Sequence, residues 1–74
     1  MSYKVNIVFE KDRNGYYVFA PELPGCHSQG ETFEEASANI REAVTLYLST
    51  LTEEEKKELL NKEILTTSID VENA

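Results

Sequence analysis

The stretch Tyr16-Tyr17-Val18-Phe19-Ala20-Pro21-Glu22-Leu23-Pro24-Gly25-Cys26-His27-Ser28-Gln29-Gly30-Glu31-Thr32 decides the layout of this chain. It holds both prolines, two of the three glycines, the single cysteine and the single histidine. Tyr16 to Ala20 reads as a short, almost wholly apolar strand that Pro21 stops. Pro21, Pro24 and Gly25 exclude regular structure from the next five residues: two fixed φ angles, two missing donors and a turn residue. Cys26 to Gly30 is a candidate third strand with small and polar side chains. Thr32 is then a helix N-cap, with Glu35 three residues on completing a capping box.

Outward on the N-terminal side, Tyr3 to Glu10 alternates. Tyr3, Val5, Ile7 and Phe9 share one face, and Lys4, Asn6, Val8 and Glu10 the other, the signature of a half-buried strand. Lys11-Asp12-Arg13-Asn14-Gly15 connects it to the next strand as a hairpin, because Asn14-Gly15 tolerates positive φ. On the C-terminal side, Phe33, Ala36, Ile40, Ala43, Val44, Tyr47, Leu48 and Leu51 recur at helical steps and define an amphipathic helix. Thr52-Glu53-Glu54-Glu55 repeats the N-cap device and predicts a second, short helix to about Asn61, with a thin apolar face of Leu59 and Leu60. From Glu63 period two returns: Leu65, Thr67, Ile69 and Val71 on one face, Ile64, Thr66, Ser68 and Asp70 on the other. This predicts a last strand that either joins the sheet or pairs with its counterpart in another subunit.

The expected architecture is α+β, one domain over residues 1–74: an antiparallel three-stranded sheet covered by one main helix, in the order β-β-β-α-(α)-β. Val5, Ile7, Phe9, Val18, Ile40, Val44 and Leu48 form the predicted core. A chain of 74 residues hides only about 60% of its unfolded surface, so a homodimer or higher homo-oligomer is the expected support. One cysteine excludes an intramolecular disulfide and a multi-cysteine zinc site.

Fourteen acidic residues against seven basic ones give a formal charge of −7. That argues against direct nucleic-acid binding and fits either a basic protein partner or plain solubility. No apolar run approaches the length of a membrane span, and no secretory signal pattern precedes the first strand, so a cytoplasmic protein is expected.

Chemistry is sparse. Cys26 and His27 suggest a thiolate pair, but neighbours in a strand point to opposite faces. No catalytic residue, metal site or cofactor site is expected. A metal-dependent hydrolase would need carboxylates such as Glu10, Asp12 and Glu22 to converge. The second strand is a better candidate. Tyr16, Tyr17 and Phe19, with Glu22 after them, are expected to bind a partner or, equally, to form a subunit contact.

The residues Gly15-Tyr16-Tyr17-Val18, Pro21-Glu22-Leu23-Pro24-Gly25-Cys26, Gly30-Glu31-Thr32, Glu34-Glu35-Ala36, Asn39-Ile40, Glu42-Ala43 and Leu46 resemble, in order and spacing, the HicB family of antitoxins. The resemblance covers about residues 5–50. It implies a partial RNase H-like sheet with one helix and no nuclease activity. It also implies a partner: HicA, a small basic mRNA-cleaving toxin with a double-stranded-RNA-binding-like fold, whose catalytic face the antitoxin blocks. Many HicB proteins continue into a DNA-binding domain; this sequence ends at Ala74, and the helix at Glu53 to Asn61 departs from the family pattern. The other readings are a freestanding adaptor for some other protein and, less favoured by the residues, the hydrolase.

Overall fold

The computed structural model describes residues 2–73. Three strands form one antiparallel sheet in the order β1-β2-β3, with β1 at Val8–Asp12, β2 at Gly15–Phe19 and β3 at His27–Gly30. Helix α1, Phe33–Ser49, packs against β2 and β3, and the short helix α2, Glu53–Leu59, follows. The fold is α+β, as the sequence predicts.

The hairpin joins Asp12 to Gly15 across Arg13-Asn14. Among the described residues only glycines take positive φ, so Asn14 does not turn the chain that way. Asp12 does the holding instead: its Oδ1 accepts the Asn14 N–H at 2.8 Å.

The β1 ladder starts at Val8, later than the alternation from Tyr3 predicts. The register explains this. Val8 pairs with Phe19, so two residues further out Asn6 would face Pro21, which has no N–H to exchange. Glu22 takes over: its Oε1 accepts the Asn6 N–H at 2.8 Å and the Asn6 Nδ2 at 3.2 Å.

The Pro21 to Gly25 segment closes on itself. Ala20 donates to the Cys26 carbonyl, Leu23 to that of Ala20, and Cys26 to that of Leu23, each at 3.0 Å. Gly25 sits at φ +79°, where side-chain-bearing residues are disfavoured. The closed loop drives Leu23 and Glu22 inward.

The fully buried apolar core is Val18, Ala20, Leu23, Cys26, Ala36 and Ile40. Of the predicted core, Val18 and Ile40 are in it, while Val5, Ile7, Phe9, Val44 and Leu48 are only half-buried against it. Gly30 lets β3 and α1 touch: a Cβ there would lie 2.5 Å from the Ala36 nitrogen. Thr32 caps α1 by accepting the Glu35 N–H at 3.0 Å, but Glu35 reaches back to the N–H of Glu31, one residue before the cap. The complete box belongs to α2, where Thr52 and Glu55 bond reciprocally.

Residues 61–73 form no strand in this chain, and they do not join its sheet. Of the two arrangements open to the predicted last strand, addition to its own sheet is therefore not adopted.

Candidate functional site: the open face of the sheet

α1 covers the inner face of the sheet, and alternation sends the odd residues of β2 outward. Tyr17 and Phe19 project to the uncovered side, and Val18 into the core. Phe19 pairs with His27 across to β3, and Tyr17 with Gln29. The three rings gather: Tyr17 lies 5.8 Å from Phe19 and 5.7 Å from His27, centroid to centroid. Such spacings are those of stabilising aromatic contacts. Tyr17 remains 41% exposed. From β1, Val8 and Glu10 face the same side, opposite Phe19 and Tyr17. The result is an apolar, aromatic strip with a carboxylate at its margin.

The other two residues expected at this site lie elsewhere. Tyr16 is half-buried on the inner side, edge-on to Phe33 at 6.1 Å, with Lys11 Nζ 5.8 Å from its ring. Glu22 is 1% exposed and spends its carboxylate on Asn6, so it offers nothing to a partner; its place is structural. His27 is the member that residue-by-residue reading passes over. The signal that finds it is the cross-strand register, which sets it opposite Phe19.

Cys26 is buried and His27 exposed, so no Cys–His pair forms, and burial pushes the Cys26 thiol above its usual range. Glu10 faces outward, Asp12 holds the hairpin and Glu22 is inside. Among the described residues, no three His, Cys, Asp or Glu side chains are grouped to hold a metal ion. Nor, among them, is any helix long and apolar enough to cross a membrane.

A second charged feature lies at the N-terminal segment. The Tyr3 hydroxyl donates to Glu53 Oε2, and Lys56 Nζ stands 3.3 Å from Glu53 Oε1 and 5.3 Å from the Tyr3 ring centroid. The hydrogen bond from Tyr3, then Lys56, holds the Glu53 carboxyl below its usual range. The same bond raises the Tyr3 hydroxyl above its own. This clasp ties residues before β1 to α2.

A three-stranded sheet with a helix on one side and an aromatic strip on the other defines a small α+β fold. The sequence places it further: the chain belongs to the family described as HicB_like antitoxin of bacterial toxin-antitoxin system, which it matches over residues 3–73. Among curated relatives, a UPF0150 protein of Helicobacter pylori is 46% identical over 67 residues, 90% of this chain and 93% of its own length. A UPF0150 protein of Synechocystis is 52% identical over 50 residues, 66% of this chain and 63% of its own. One of Archaeoglobus fulgidus is 40% identical over 63 residues, 84% and 91% of the two chains. No solved structure matches the chain.

Proposed function

We propose that this protein neutralises a small, basic, mRNA-cleaving toxin of the HicA type, binding it as a cytoplasmic homo-oligomer through the open face of a partial RNase H-like sheet. Membership of an antitoxin family gives the class of role. The observation that carries the mode of action is the Tyr17, Phe19 and His27 strip, left bare on an acidic domain. Aromatic side chains at the centre of a contact supply most of its energy, and opposite charge around them steers the partner in. A formal charge of −7 suits a basic protein and disfavours direct contact with nucleic acid. The antitoxin acts by occupancy and needs no cofactor or reacting group of its own.

The test is co-expression with a HicA-like toxin from the same genome. Growth arrest is relieved and the two chains copurify; Tyr17→Ala combined with Phe19→Ala loses both effects while the variant still melts cooperatively. If the native chain neither relieves arrest nor copurifies, the toxin reading fails and an adaptor for another protein takes its place. Relief that survives the double substitution moves the contact off this face.

A further inference from the structure

The last thirteen described residues, 61–73, present an apolar row with nothing against it. Leu65, Ile69 and Val71 are 80%, 79% and 77% exposed, and only Ile64 in this segment is half-buried. They alternate with polar residues, which suits an extended strand with one apolar face. A small protein does not usually hold out a row of this kind.

Elsewhere in the molecule there is a place of matching apolar character. The inner side of the N-terminal segment and β1 opens beside α1 into a groove of ≈ 390 Å³. Val5, Ile7 and Phe9 form one wall, and Ile40, Val44 and Leu48 the other. Five of these six are only half-buried. β1 is also an edge strand: β2 pairs with it on one side, and no strand pairs on the other among the described residues. Arg41 lines the same groove and makes no ion pair among those residues, while the tail carries Glu63, Asp70 and Glu72 against one base, Lys62.

We infer that residues 61–73 of one copy lie along the free edge of β1 in a second copy, setting Leu65, Ile69 and Val71 into this groove. An apolar row, an open edge and an unpaired arginine in one copy meet an apolar row, an unpaired tail and carboxylates in the other. The tail does not settle on its own groove here: the Cα radius of gyration is 14.4 Å, against about 11 Å for a compact chain of this length. A two-fold exchange covers both grooves and pairs both edges at once. The inference is independent of the toxin and rests only on the self-association proposed above.

Parity in the tail supplies the test. Light scattering on the full chain at micromolar concentration is expected to give a dimer. Leu65→Asp or Ile69→Asp weakens it by about a hundredfold, because both copies lose an apolar contact. Thr66→Asp and Ser68→Asp add the same charge on the other row and leave it within about threefold. These positions are exposed in the single chain, so folding is spared and the melting profile of the monomer checks it. Mixing an Ile69→Cys chain with a tagged Val44→Cys chain under oxidation gives a disulfide-linked heterodimer. A dimer indifferent to Leu65→Asp and Ile69→Asp, or equally sensitive to Thr66→Asp and Ser68→Asp, retires the tail contact and leaves self-association standing. A monomeric native chain retires both.

Discussion

Glu22 shows how much one residue decides in a domain this small. It is charged, it sits between two prolines, and it is 1% exposed. A buried carboxylate costs free energy unless its oxygens are hydrogen-bonded, and Asn6 supplies two donors to one of them. Hydrogen bonds to a charged group contribute about 1.5–3 kcal/mol, so Glu22→Ala is expected to lower stability by about 2 kcal/mol in urea unfolding. Glu22→Gln keeps an acceptor and costs about half that. Asn6→Ala costs less again, since the shorter bond, at 2.8 Å, comes from the backbone. An order with Glu22→Ala mildest would sink the account of why β1 starts where it does. Gly30 makes the same point through space. A methyl there meets the Ala36 nitrogen at 2.5 Å and its Cα at 2.9 Å, both backbone atoms that cannot step aside. Gly30→Ala is therefore expected to cost about 2–3 kcal/mol in the same measurement, where an ordinary exposed strand glycine would tolerate alanine.

The two helices use the same cap and depend on it differently. α1 buries Ala36 and Ile40, so its first turn is coupled to the core; α2 buries nothing fully. Thr32→Ala is expected to lower global stability by about 1 kcal/mol, whereas Thr52→Ala speeds amide exchange in α2 with little effect on the melting midpoint. The Tyr3–Glu53 clasp adds a pH dependence to α2. Glu53 is depressed, so its contribution is present above its unfolded pKa and lost as pH falls through the folded one. Tyr3 is raised, so its contribution is present below its unfolded pKa and lost as pH rises through the folded one. Protection of α2 amides is thus highest across neutral pH and declines at the acid and alkaline ends; Tyr3→Phe flattens that profile. The elements themselves were legible in the sequence: alternation located β1, the apolar run that Pro21 stops located β2, and Thr32 and Thr52 located both helix starts. What local patterns cannot carry is register. The delayed start of β1, the burial of Glu22 and the place of His27 beside Phe19 all follow from which residue faces which. The 63–71 alternation is real, but a strand needs an edge to pair with, and this chain holds its own tail away from one.

At the scale of the molecule, two apolar surfaces lie on different sides of the sheet. The groove side is mainly aliphatic, with Phe9 in one wall, and lies between α1 and the free edge of β1; the open sheet face is aromatic and belongs to β2 and β3. If the first joins copies and the second meets the toxin, self-association and toxin capture are compatible, and the rates of capture separate charge from contact. Charge acts before the surfaces touch. The screening length falls from about 10 Å at 0.1 M salt to about 3 Å at 1 M, so a partner steered by a charge of −7 binds at least about tenfold more slowly across that range. Aromatic contact acts after. Tyr17→Ala removes a central ring without changing charge, so the association rate stays within about threefold while dissociation speeds by about thirtyfold or more. Stopped-flow or surface-binding kinetics on the purified toxin resolve the two. An association rate indifferent to salt reduces the acidity to a matter of solubility. A Tyr17→Ala variant slow to associate but unchanged in dissociation takes the aromatic strip out of the contact.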